Sequence, residues 1–187
     1  MNYATIKYCD IANGTGVRTS LFVSGCRRHC PECFNAVAWD FGYGLPFDKA
    51  VRNEILGSLA PDYIDGLSLL GGEPFEPENQ EGLLVLARRF KERFPEKNLW
   101  CYTGFSFERD LLTGSVGDPA VARDLLSLID VLVDGKYVEE EHDASLLFRG
   151  SANQNIIDVP ASLKAGHMVL LPGVWQRKMG SGNIHED

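Results

Sequence analysis

The sequence has few of the features that mark a secreted, membrane or nucleic-acid-binding protein. No apolar run in its 187 residues approaches the length that crosses a bilayer. The opening stretch, MNYATIKYCD, carries charges and no apolar core, so a signal peptide is not expected. Lys and Arg number 18 against 26 Asp and Glu, a net charge of −8, and the basic residues do not cluster. That balance excludes the electrostatic footprint of a nucleic-acid or anionic-membrane binder. We therefore expect a cytoplasmic protein with no nucleic-acid partner and no membrane association. Internal repeats, low-complexity blocks and an interdomain linker are also missing, and the length fits a single domain over 1–187. The polar, glycine-rich end, about 175–187, is expected to be a frayed tail. Cysteine is scarce, at five residues, which in a reducing compartment argues against a disulfide framework.

What is present is an alternation of short apolar strands with amphipathic helices. TSLFVSG (19–25) is a β-branched and aromatic run. Phe47, Val51, Ile55 and Leu59 recur at fourfold spacing and predict a helix over 47–60. DGLSLLGGEP (65–74) reads as a buried strand closed by glycines. Residues 79–94 predict a second helix that faces inward through Leu83, Leu86, Ala87, Phe90 and Phe94. NLWCYTG (98–104) is a strand, PAVARDLLSL (119–128) a helix and IDVLVDGKY (129–137) a strand; NIIDV and MVLLP suggest two more. Alternating strands and helices predict an α/β fold with a parallel sheet. Five or six strands are too few for the closed eight-stranded barrel, so an incomplete, open (β/α) barrel is expected, with a doubly wound sheet as the alternative.

Three of the five cysteines, Cys26, Cys30 and Cys33, crowd into VSGCRRHCPECFN (23–35) with C-x3-C-x2-C spacing. Coincidence at this density is improbable, and the set reads as a metal or redox site. A structural zinc ion closes with four ligands, and here a second cysteine pair is missing. His29 inside the loop is a possible fourth, whereas His142, His167 and His185 stand far off and unpaired. A [4Fe–4S] cubane uses the deficit differently: three thiolates hold three irons and leave one open. The loop follows a strand, where parallel α/β sheets place their active sites.

C-x3-C-x2-C after a strand resembles the signature of the radical S-adenosylmethionine (SAM) superfamily. The resemblance implies a [4Fe–4S] cluster on Cys26, Cys30 and Cys33, with SAM on the open iron through its amino and carboxylate groups. One-electron reduction then splits the sulfonium into methionine and a 5′-deoxyadenosyl radical, the cofactor carrying the chemistry. Glu32 stands where many members carry an aromatic residue, and Phe34 follows the third cysteine instead. GGEP, comprising Gly71, Gly72, Glu73 and Pro74, is similar to the family's turn that binds the SAM amino group. Asp134 and Lys136 in VDGKY read plainly as a surface ion pair, but by the same resemblance Lys136 is directed at the SAM carboxylate and Asp134 lies nearby. YTGF ends a strand, which suits either Thr103 facing the cofactor or a simple turn. Cys101 reads as a core residue and Cys9 as an exposed thiol.

NGTGVR (13–18) resembles the entry segment of the glycyl-radical-enzyme activating branch, although the arginine alone reads as structural. FRGSANQNIIDV (148–159) is similar to the RGSxNQ segment of the members that act on anaerobic ribonucleoside-triphosphate reductase. A hydrogen-bonded turn is the plain reading of that Ser, Asn and Gln composition. The resemblance covers about residues 2–160. It implies that reductase as protein substrate and an external one-electron reductant. No acid or base side chain is required. Two alternatives remain: a radical SAM enzyme acting on another glycyl-radical enzyme or a small molecule, and a non-enzymatic zinc-binding module.

Overall fold

The structure is a computed structural model that describes residues 1–173. Its elements are β1 (Asn2–Asp10), β2 (Arg18–Val23), the two-residue β3 (Leu45–Pro46), α1 (Lys49–Ser58), β4 (Gly66–Gly71), α2 (Pro77–Arg93), β5 (Asn98–Tyr102), α3 (Pro119–Leu128), β6 (Val131–Asp134), β7 (Asn155–Asp158) and α4 (Val159–Ala165). The seven strands form one sheet in the order β3-β1-β2-β4-β5-β6-β7, which is not closed. The inner strands β2, β4, β5 and β6 are parallel, while β1, β3 and β7 pair antiparallel at the flanks.

Each helix forms where its apolar stripe and its cap agree. Asp48 accepts a hydrogen bond from Val51 N at the start of α1, and Asp118 accepts from Ala120 N and Val121 N at the start of α3. Pro77 opens α2, where its missing N–H costs no hydrogen bond. Leu83, Leu86, Ala87 and Phe90 of α2 are fully buried, and each of the large ones contributes about 2 kcal/mol by leaving water.

The row Leu21, Leu69, Cys101, Leu132 and Ile157 crosses the sheet from β2 to β7, and all five are fully buried in the core that also holds the inner faces of α1, α2 and α3. Among the described residues the helices cover one face only, since the second cluster, Trp100, Val131, Val133 and Ile156, holds no helical residue. This decides against the doubly wound alternative, which needs helices on both faces. Cys101 is the small core residue expected from its strand position.

Four sequence expectations change. The N-terminal segment is a strand, β1, so the cysteine loop follows the second strand of the chain rather than the first. β7 joins the sheet antiparallel. MVLLP makes only a single bridge, Ile157 to Leu170, instead of a strand. Residues 159–165 form α4, with Asp158 capping Ala161 N and Gly166 ending it at φ +72°. The tail expected to fray lies outside the described residues.

Arg18 of NGTGVR is fully buried against Trp100, 5.5 Å from the ring centroid. Its N–H groups donate to Ser68 Oγ (2.7 Å), Leu67 O (2.8 Å), Thr15 O (3.0 Å), Asn98 Oδ1 (2.7 Å) and Asn98 O (3.0 Å). It laces the starts of β2, β4 and β5 together, which is the structural role its chemistry suggests.

Candidate metal centre

The chain between β2 and β3 carries the three cysteines and is held at both ends by the first residues. Ser24 N donates to Asn2 O (3.0 Å) and Phe47 N to Met1 O (3.2 Å). Within the loop Gly25 N donates to Ala38 O (2.8 Å) and Cys26 N to Trp39 O (3.1 Å). Arg27 fastens it to the start of α2, its backbone N and guanidinium reaching Glu76 at 2.8 Å and 2.5 Å. His29 and Glu32 take left-handed backbone conformations, at φ +47° and +54°, as the loop turns.

Cys26 and Cys30 are buried, Cys33 is half-buried, and all three thiols are free. Burial pushes the Cys26 thiol up to about 11, against the pull of the Arg28 backbone N–H. Burial raises Cys30 as well, opposed by the charge of Lys136 and the backbone N–H of Tyr137. The three cysteines line one cavity of about 420 Å³. Facing them are the strand ends, with Gly71, Gly72 and Glu73 after β4, Thr103 and Gly104 after β5, and Gly135 after β6. Phe148, Arg149, Gly150 and Gln154 supply a further wall.

The double glycine is dictated by crowding. Gly71 has φ +115°, and a Cβ there would stand 2.5 Å from Val23 N; one on Gly72 would stand 2.6 Å from Gly25 O. The turn thus presses against the start of the cysteine loop and leaves bare backbone toward the cavity. The Glu73 side chain, also in the lining, is bonded within the protein. Its carboxylate, 1% exposed, accepts from Thr103 Oγ1 (2.7 Å), Gly104 N (2.7 Å) and Phe75 N (3.0 Å), and Arg28 Nε lies 3.5 Å from Oε2. Burial pushes this carboxyl above the usual range while those donors pull it down. Glu73 therefore braces the ends of β4 and β5 and the cysteine loop against one another. Pro74 is buried and is not among the residues lining the cavity.

Of the other residues singled out in the sequence, Thr103, Glu32 and Phe34 line the cavity, Phe34 with 84% of its surface exposed. Asp134 does not line it: its two oxygens accept from Phe107 N (2.7 Å) and Asn155 Nδ2 (2.9 Å), which fix the π-helical turn 107–111 and the edge strand β7. Lys136 is exposed and does not line it either. Among the described residues, no three His, Cys, Asp or Glu side chains converge to hold a single metal ion, and the His29 ring stacks on Trp39 at 4.5 Å. That geometry disfavours a closed zinc site. A cubane puts its irons at separate corners, so its thiolates ring a cluster-sized space instead of meeting at a point. Three free thiols on one cavity wall, served by backbone N–H donors, fit that demand.

Residues 12–157 match the 4Fe-4S single cluster domain family. The chain is 42% identical over 158 residues to the anaerobic ribonucleoside-triphosphate reductase-activating protein of Pasteurella multocida, covering 83% of this chain and 96% of the relative. Against the protein of the same name from Escherichia coli K12 it is 41% identical over 156 residues, with 82% and 96% covered, and against that of phage T4 38% identical over 156 residues, with 83% and 93% covered. The chain belongs to this family of activating proteins.

The family match includes the segment 148–154, which the sequence marked as a branch signature and, in its plain reading, as a hydrogen-bonded turn. Gln154 Oε1 accepts from Gly150 N (2.8 Å) and Ser151 N (3.2 Å), while its Nε2 donates to Gly135 O (3.0 Å). Asn153 Nδ2 donates to Lys136 O (2.8 Å), and Ser151 Oγ accepts from Val138 N (3.2 Å). The segment is a hydrogen-bonded turn and a cavity wall at once, pinning residues 135–138 beside the cysteine loop. Sequence reading missed Arg28 and Tyr137, which line the cavity from unassigned positions inside the CRRHCPEC and VDGKY motifs.

Proposed function

We propose that this protein is an activase that installs a glycyl radical on anaerobic ribonucleoside-triphosphate reductase. One observation carries the reading: the three cysteines, the glycine turns ending β4, β5 and β6, and the 148–154 wall all face a single cavity. Cys26, Cys30 and Cys33 would hold a [4Fe–4S] cluster, and the bare backbone at Gly71 and Gly72 would admit the SAM amino group. When bound, the reduced cluster supplies one electron to the SAM sulfonium, releasing methionine and a 5′-deoxyadenosyl radical that takes a hydrogen atom from a glycine Cα of the reductase. Transfer of a hydrogen atom needs no general acid or base, and the chain accordingly has work in binding, orientation and exclusion of water.

Thr103 would contribute to the cavity floor, while Glu73 and Asp134 keep the strand ends in place. Glu32 and Phe34 sit at the rim, where a protein substrate enters. The open sheet, with its helices confined to one face and its parallel strands advancing β2, β4, β5, β6, supports the partial (β/α) barrel of radical SAM enzymes. An external one-electron reductant is required, and the chain acts as one domain.

The test combines the reconstituted protein, SAM, a reductant and the anaerobic reductase, with electron paramagnetic resonance as the readout. A glycyl-radical signal that depends on all four components is expected. SAM cleavage without that signal would redirect the reading to another substrate.

A further inference from the structure

We propose that Arg28 is the residue that receives the carboxylate of SAM. This assignment rests on the function proposed above and replaces Lys136, the residue to which resemblance gave that task.

Among the described residues two cations line the cavity, Arg28 and Arg149. Arg149 precedes β7, which three strands separate from β2 in the sheet, and its Nη1 donates to Gln154 O at 2.9 Å. Arg28 lies inside the cysteine loop, between Cys26 and Cys30. On the function proposed above, SAM would meet the cluster held by those cysteines through its amino acid end, which would bring its carboxylate beside this loop.

The Arg28 side chain is 21% exposed, and its guanidinium makes no hydrogen bond among the described residues. Its buried Nε is itself unpartnered, with the nearest carboxylate oxygen, Glu73 Oε2, at 3.5 Å. Among the described residues neither Nη group has a protein acceptor either. A guanidinium carries five N–H donors in a rigid fork matched to a carboxylate; here only Nε faces a carboxylate, at 3.5 Å, and the fork in the cavity wall marks a place for an anionic ligand.

The fork is also held in place by packing within the protein. Its central carbon stands 3.9 Å from the Phe105 ring centroid, and the side chain lies directly on Gly104, where a Cβ would approach Arg28 Cδ to 2.3 Å. Glu73 provides the countercharge that lets a cation sit in this wall while leaving its donors free. A ligand that meets a preset fork loses less freedom in binding it. Lys136, by contrast, is exposed and outside the lining.

The experiment compares SAM with decarboxylated SAM, which lacks only the carboxylate, by calorimetric titration of the anaerobically reconstituted protein. The quantity read is the ratio of their dissociation constants. Charge-assisted hydrogen bonds to a carboxylate predict that Arg28→Met shrinks the wild-type ratio by about tenfold or more, with a smaller loss in Arg28→Lys, which keeps the charge but not the fork. Lys136→Met should leave the ratio unchanged. A ratio unmoved by Arg28→Met, or one that collapses in Lys136→Met instead, overturns the assignment while leaving the activase reading intact. If Arg28→Met fails to retain iron, Arg28→Lys decides: a reduced ratio supports the proposal and an unchanged one overturns it. Failure of the wild-type holoprotein to bind SAM at all would overturn the proposed function and this assignment with it.

Discussion

Glu73→Gln separates a brace from a cofactor contact. The carboxylate receives three donors, two backbone N–H groups and the Thr103 hydroxyl, inside a region with almost no water. An amide keeps one acceptor oxygen and turns an NH2 group toward either Gly104 N or the Thr103–Phe75 pair. One strong hydrogen bond is lost and one buried donor is left without a partner, together about 3 kcal/mol. For a domain of this size that converts to a fall of roughly 6–12 °C in melting temperature. Thermal melts should be run on the iron-free and the reconstituted protein, because the brace belongs to the chain and should weaken in both. A melting temperature within about 2 °C of wild type in both forms would refute the reasoning, since a group that merely touches SAM contributes nothing to the stability of the free protein.

Two other substitutions test neighbouring points. Cys30→Ala should abolish iron binding, visible absorbance and SAM cleavage together, and a variant that keeps both cluster and cleavage would show that the ligand set is wrong. Asp134→Ala strips partners from Phe107 N and Asn155 Nδ2, so urea unfolding should register a loss of about 2 kcal/mol while SAM affinity stays within a few-fold. A large loss of affinity with unchanged stability would instead place Asp134 against the cofactor.

Most of what lies on the helix-covered face could be read from the sequence, because burial on that face leaves a strong periodic record. The stripes of α1 and α2 and the apolar runs of β4, β5 and β6 all stand where the residues predicted them. β1 escaped because it is paired on both edges yet only partly buried, so its residues alternate weakly and several are charged. α4 is seven residues long, too short for a period to show. In the site, the cysteines and the double glycine were legible because their chemistry permits few substitutes. The directions of Glu73, Asp134 and Lys136 were not, since a polar residue at a strand end can face the cavity, a neighbouring loop or water. Arg28 was hidden for another reason: a residue in the spacer of a motif gives no sign of its partner, and its place on Gly104 and Phe105 depends on contacts 76 and 77 positions along the chain.

The cysteine loop is tied at both ends to residues 1 and 2 and zipped to itself at Gly25 and Cys26. Its backbone is closed into a ring by peptide hydrogen bonds alone. Small zinc domains gain their order from the metal and unravel when it is taken away. Here much of the frame is closed by backbone hydrogen bonds that involve no thiolate. Damage by oxygen would therefore strip the site without dismantling its frame, and recovery becomes a matter of resupplying iron and sulfide to a standing mould, not of making the protein again.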